Sequence, residues 1–140
     1  QGMLDVLGEK IAAAGVTNMQ SVKLDLTCDS LPAERYHLTY SLLTLHHIHD
    51  TQGILSKFHA LLEPGGFLLV SDLDKENGSF HTDGTTDVHL GFERAELQNW
   101  VEDAGFGEVR FSTAYEIKKE IEGVEKTFPV FLMSARKKFP

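Results

Sequence analysis

The sequence predicts an α/β fold with a mainly parallel sheet, and three observations carry that prediction. Helical and strand-like apolar patterns alternate along the chain from residue 3 to residue 104. Residues 67–71 form a continuous apolar run of the kind found in strands covered on both faces, entered through Pro64, Gly65 and Gly66 and left at Asp72. Residues 36–50 pass from a run rich in β-branched and aromatic residues, uninterrupted by Pro or Gly, through a histidine cluster to the helix-starting Asp50. That order puts the histidines at the C-terminal edge of a sheet, where open α/β folds hold their ligands.

Each element follows from its own pattern. Leu4, Leu7, Ile11 and Ala14 recur at helical spacing before Gly15, which predicts an amphipathic helix with a glycine C-cap. Val22, Leu24 and Leu26 alternate with polar neighbours, which predicts a strand over residues 19–26. A second strand is expected over residues 36–43, then a helix from Asp50 carrying Ile54, Leu55, Phe58, Leu61 and Leu62 on one face. After the apolar strand at 67–71, residues 75–91 are polar and aperiodic, carrying Ser79, Thr82, Thr85 and Thr86 together with His81 and His89. Such a length is usually functional or disordered. A helix over residues 93–104 should turn Leu97, Trp100, Val101 and Ala104 inward and end at Gly105. Residues 108–116 and 126–136 read as an antiparallel pair, joined by a charged, solvated connector over residues 118–126. Parallel crossovers should be right-handed.

Composition bounds the partners. The chain has 140 residues, one domain's worth, with 41% hydrophobic and 24% charged residues. Its net charge of −8 disfavours a nucleic-acid backbone or an anionic membrane, which reward Lys and Arg clusters, so no nucleic acid and no membrane are expected as partners. A small molecule is the expected ligand. The single cysteine, Cys28, has no internal disulfide partner and fits a reducing compartment. No apolar run approaches the roughly 20 residues that span a bilayer, and no signal peptide opens the chain. The expected location is cytoplasmic. Gln1 and Gly2 before Met3 read as a purification-tag remnant, with residues 3–140 the domain proper.

Five stretches in this order, residues 22–26, 36–50, 61–72, 105–106 and 128–133, resemble the class I S-adenosylmethionine-dependent methyltransferases. The resemblance covers nearly the whole chain. Residues 74–92 look like a bacterial small-molecule subgroup of that family. It implies a Rossmann-like fold, S-adenosylmethionine as cofactor and methyl transfer to a small-molecule acceptor. Asp25 matches the acidic residue that accepts from the adenine amino group, with the backbone of Leu26 beside it. Ser41, Leu42, Leu43 and Thr44 match the residues along the methionine end of the cofactor. The sulfonium methyl would point toward residues 44–47, where His46 and His47 are the candidate catalytic bases, imidazole having a suitable unperturbed pKa. His81 and His89, on the loop passing over the substrate side, are the candidate substrate residues.

The family also has a first strand ending in a glycine-rich turn and a second strand ending in an acidic residue, which hold the methionine moiety and the ribose. Neither is found in these residues, and residues 3–7 match the start of the helix after the second strand. The expectation is an N-terminally truncated, partial methyltransferase domain, impaired in cofactor binding. Two strands absent between residues 19–26 and 36–43 leave a gap of roughly 14 Å at about 4.8 Å per strand, so a distorted sheet or a homodimer through the open edge is expected.

Plainer readings stand beside these. A metal site at His46, His47 and His49, completed by His81, His89 or Asp50, is not expected, because adjacent histidines on an extended loop point in opposite directions. Each of these histidines could instead pack or hydrogen-bond within the loop. Asp72 and Asp74 could be an acid–base pair or a divalent-ion chelate, but two solvated loop carboxylates are expected. Asp25 could simply end a strand. A catalytically inactive interaction module on the same fold is the alternative function. A nucleotide-dependent oxidoreductase is disfavoured by the terminal antiparallel pair and by residues 62–66.

Overall fold

In a computed structural model of the chain, which describes residues 2–82, 84 and 89–140, the periodicities resolve into three α-helices and one four-stranded sheet among the described residues. These residues fall into two units, Gln1–Ser30 and Leu31–Pro140. Thr85 and Thr86 of the polar segment lie outside the described residues. Among the described residues no helix is long and apolar enough to cross a membrane.

In the first unit, helix α1 spans Gly2–Ala13 and ends as its sequence predicts. Gly15 takes φ +63 and donates to the Ala12 carbonyl at 3.1 Å, the left-handed cap that a Cβ would oppose. None of α1 is buried, and Met3 is 89% exposed. The strand expected over residues 19–26 does not form. A strand needs a partner backbone, and no described residue pairs with this segment. Asp25 instead closes a local turn. Its carboxylate accepts from Thr27 N at 2.8 Å and Thr27 Oγ1 at 2.6 Å, and its own N–H donates to Asp29 Oδ2 at 2.8 Å. These short-range bonds satisfy the backbone without a ladder.

In the second unit, β1 (Tyr36–Leu42) leads through a 3-10 turn at Leu45–His47 to α2 (Thr51–Leu61). There follow β2 (Leu62–Leu73), α3 (Arg94–Asp103), β3 (Phe106–Ile121) and β4 (Val124–Lys137). The sheet order is β1-β2-β4-β3, with β1 and β2 parallel and the other two pairings antiparallel. The α/β class and the terminal antiparallel pair are as expected. With residues 19–26 outside the sheet, parallel pairing among the described strands is confined to β1 and β2.

Asp50 caps α2 by accepting from Gly53 N at 2.8 Å, and Ile54, Leu55, Phe58 and Leu61 of the predicted face are buried, whereas Leu62, expected on the same face, is buried as the first residue of β2. On α3, Leu97 and Val101 are fully buried, while Trp100 and the C-cap residue Ala104 are only half-buried. β1 is different. Among the described residues it pairs with β2 alone, and its apolar face stays open: Leu38 is 49%, Tyr40 72% and Leu42 61% exposed.

The connector expected over residues 118–126 is in fact strand. Pairing runs without a break from Lys118↔Thr127 to Ile121↔Val124, and Glu122 and Gly123 take φ +53 and +77, the two-residue hairpin geometry that matches strand twist. Ile117 and Ile121 pack against a buried cluster of Leu73, Phe80, Phe128 and Val130. The charges between the two isoleucines hid the period-2 pattern.

At the other end of the sheet, Lys137 Nζ donates to the carbonyls of His59 (2.8 Å) and Leu62 (2.7 Å), closing the C-terminus of α2. The His59 ring meets the edge of the fully buried Phe106 at 5.1 Å. Burial, reinforced by the Lys137 charge, holds the His59 imidazole below its usual pKa. The unfolded chain therefore binds the proton more readily. Stability from this group is complete above about pH 6.5, falls as pH drops through that value toward the depressed folded one, and then levels. Urea midpoints measured from about pH 7 to about pH 5 should fall less steeply for His59→Gln than for the parent chain.

Candidate functional site

The C-terminal ends of β1 and β2 lie side by side, because parallel register sets Ser41 opposite Val70 and Leu42 opposite Ser71. Whatever follows Leu42 and whatever follows Ser71 must therefore meet. Leu43 donates its N–H to the Ser71 carbonyl at 2.8 Å and then turns at φ +47, a left-handed conformation rare outside glycine. Its side chain packs against the Leu73, Phe80, Phe128 and Val130 cluster. Thr44 Oγ1 donates to the Leu42 carbonyl at 2.9 Å and tightens the bend.

The bend delivers residues 45–47 as a 3-10 turn, which corrects the expectation of an extended loop. The His46 and His47 rings do not diverge but lie together, with centroids 4.1 Å apart. His46 is 2% exposed and Asp72 is 0% exposed, so Asp72 is not the solvated carboxylate the sequence suggests. Asp72 Oδ1 lies 2.5 Å from His46 Nδ1 and accepts from Leu73 N at 2.8 Å, while Oδ2 accepts from His46 N at 3.2 Å. A carboxylate only accepts, so the imidazole proton sits on Nδ1 and Nε2 is the basic nitrogen. Burial of such a pair is sustained by these additional donors.

His81 joins them from a different segment, its ring 5.6 Å from that of His46 and 5.5 Å from that of His47. Three residues, Glu76, Phe128 and Lys119, fix the backbone that carries it. Glu76 accepts from the amides of Ser79 (2.8 Å) and Phe80 (3.1 Å). Phe80 is buried against Phe128 at 5.2 Å. Lys119, on the part of β3 that was expected to be connector, donates to the Phe80 carbonyl at 2.8 Å and sits 3.7 Å above the Phe80 ring.

The remaining sequence candidates are placed elsewhere. His89 Nε2 lies 3.0 Å from the Ile48 carbonyl and 3.1 Å from Thr51 Oγ1, and its N–H donates to the His46 carbonyl at 3.1 Å. It ties the polar segment to the turn. His49 is exposed. Asp74, also expected in solvent, is gripped by Arg94 through two bonds of 2.7 and 2.6 Å, and Arg94 reaches Thr113 Oγ1 at 2.9 Å. Asp25 and Leu26 lie in the first unit, where the Asp25 carboxylate serves the local turn. Sequence reasoning missed the pairing of Asp72 with His46. Its signal was available, since His46 follows the end of β1 and Asp72 lies at the C-terminal end of its parallel neighbour β2. It also missed Lys119 and Phe80, whose signal was masked by the charges around them.

The sheet order and the terminal antiparallel pair are those of a Rossmann-like α/β fold. Residues 4–110 match the family described as methyltransferase domain, and the chain belongs to that family. An uncharacterized methyltransferase of Schizosaccharomyces pombe is 30% identical over 88 residues, 58% of this chain and 31% of that protein. The chain thus spans less than a third of this relative's length. A candidate methyltransferase of Bacillus halodurans shares the fold with TM-score 0.75 at 18% identity, over 99% of this chain and 80% of that one. Phosphoethanolamine N-methyltransferase 2 of Haemonchus contortus, in complex with phosphomonomethylethanolamine and S-adenosylhomocysteine, gives TM-score 0.73 at 12% identity, over 97% of this chain and 41% of that one. At such identities the structural likeness establishes the fold alone.

Proposed function

We propose that this chain belongs to an enzyme that transfers a methyl group from S-adenosylmethionine to a small-molecule acceptor, at a cytoplasmic location. The observation that carries the reading is the His46–Asp72 pair seated at the joined ends of β1 and β2 in a domain of methyltransferase fold. Methyl transfer is an in-line displacement, so a rigid wall that aligns the acceptor can supply much of the rate. Ser41, Leu42, Leu43 and Thr44 form the wall on the cofactor's methionine side. His46, oriented by Asp72, and the exposed His47 are the groups to receive an acceptor proton. His81, on its anchored segment, stands on the acceptor side, and His89 supports the turn that presents them.

The residues in hand fit only part of the cofactor. The sequence carries no glycine-rich turn of the family's kind, and among the described residues no strand precedes β1 to end in an acid, so no described residue is built to hold the ribose or to approach the methionine backbone closely. We therefore expect this chain to bind S-adenosylmethionine more weakly than about 1 μM, which corresponds to about 8 kcal/mol. Calorimetry with S-adenosylmethionine, S-adenosylhomocysteine and NAD tests both parts. Micromolar binding would remove the impairment, and preference for NAD would remove the methyl-transfer reading.

The alternative, an interaction module that pairs with a second copy of itself, is favoured by one observation: β1 exposes both a backbone edge and an apolar face at Leu38, Tyr40 and Leu42. On that reading light scattering gives twice the chain mass, and Tyr40→Lys halves it. A monomer at all concentrations, unchanged by the substitution, removes the homodimer.

A further inference from the structure

Two segments far apart in sequence bring three imidazoles to one place. One ring nitrogen from each of His46, His47 and His81 lies within 4.8 Å of the other two. We propose that these three side chains bind a single zinc ion, or a late first-row divalent ion of like preference, with Asp72 positioning His46.

The donor set selects the class of ion. Three neutral imidazoles suit zinc, copper or nickel, whereas magnesium and calcium require oxygen ligands that this cluster does not supply. The spacing is near what coordination needs. At Zn–N distances of about 2.0–2.1 Å, tetrahedral ligand nitrogens stand about 3.3–3.4 Å apart. The remaining difference from 4.8 Å closes by rotation of His47, which is exposed, and of His81, which is half-buried. His46 need not move.

Asp72 supplies an independent reason. A ligating histidine commonly gives its other ring nitrogen to a buried carboxylate, which fixes the tautomer, aims the ligating nitrogen and raises its basicity. The 2.5 Å contact between His46 Nδ1 and Asp72 Oδ1, with both residues buried, is that arrangement. Asp72 is itself held by the amides of His46 and Leu73, so it is placed before any ion arrives. The 3-10 turn, rather than an extended loop, is what lets adjacent histidines contribute to one centre.

Three protein ligands leave a fourth position for water or for an oxygen or nitrogen of the acceptor. Bound zinc would cross-link the 45–47 turn to the segment carrying His81. The rings of His46 and His47 then serve as ligands, and their proton-accepting role applies to the metal-free protein. The inference rests on the geometry of the cluster and does not depend on methyl transfer.

The test uses the full chain, without any methyl donor. Zinc titrated in competition with a chelating dye should bind one ion per chain, and cobalt should give the intense visible bands of four-coordinate geometry. His47→Ala and His81→Ala should each weaken zinc at least about tenfold, and Asp72→Asn, which keeps all three ligands, by about tenfold. His37→Ala and His49→Ala should leave affinity within about twofold, and magnesium should not compete. Circular dichroism of each variant separates lost ligation from lost folding, and the exposed His47 is the variant least able to disturb the fold. Absence of saturable zinc binding overturns the proposal. So does binding that survives His47→Ala and His81→Ala, or that falls as much with His49→Ala.

Discussion

Asp72→Ala is expected to destabilise the chain by about 3–5 kcal/mol, the cost of breaking a buried pair by removing one partner. Asp72 is the acceptor for three donors: the Nδ1 and the backbone N of His46, and the backbone N of Leu73. None of the three can turn to bulk solvent, because Leu73 and His46 are each 2% exposed. The alanine variant therefore leaves donors unsatisfied and opens a cavity beneath the turn. Asp72→Asn retains an acceptor oxygen and should cost less. A double change of His46 and Asp72 to apolar residues of similar volume should cost less than Asp72→Ala alone, since the desolvation of both polar groups disappears with them. Urea denaturation of the three variants decides the matter. Equal losses in all three would mean that packing, not the pair, holds this region.

The second large effect is expected at Gly91. An alanine Cβ there would lie 2.2 Å from the Asp74 carbonyl oxygen and 2.6 Å from its carbon, with φ at +67. Both are backbone atoms in a segment that cannot step aside. Asp74 N donates to the Pro129 carbonyl at 3.0 Å, Phe92 N to the Leu73 carbonyl at 2.9 Å, and the Asp74 carboxylate is held by Arg94. The left-handed conformation costs about 1–2 kcal/mol and the displaced backbone about 1–3 kcal/mol more. Gly91→Ala should thus lose about 2–5 kcal/mol, whereas Gly123→Ala, with φ +77 and nothing within 4 Å of the new Cβ, should lose only the conformational part. Amide exchange at Lys75 and Phe92 should rise in the Gly91 variant, because the bridge between Asp74 and Phe92 is what the new Cβ displaces. Comparable losses in the two variants would show that the close approach at Gly91 is readily relieved.

These expectations turn on contacts of very different legibility. Helix α2 was readable except at its end: it stops at Leu61, and Pro64, Gly65 and Gly66, expected to stop it, lie within β2. The rest was legible because Asp50 and the apolar face are local signals. The buried run of β2 was readable for the same reason. The strand expected at 19–26 was not, because alternation shows that a segment is able to pair and says nothing about whether a partner strand is present. The β3–β4 hairpin was under-read at its tip, where Lys119 sits between Ile117 and Ile121 and looks like solvent. Its amine in fact reaches the Phe80 carbonyl and ring.

The sequence by itself determined the α/β class, the order of helices and strands in the second unit and the family, and it pointed to one stretch, residues 36–50, as the candidate site. Each of these is written in periodicities or motifs that span a few neighbouring residues. Only the tertiary structure decided what that stretch is made of. Parallel pairing of β1 with β2 brings Asp72 to His46 across 26 positions of sequence, and the Phe80 anchor brings His81 to both histidines of the turn. The identities of these residues were in plain view, but register and side-chain packing are properties of two segments at once, and no single segment encodes them.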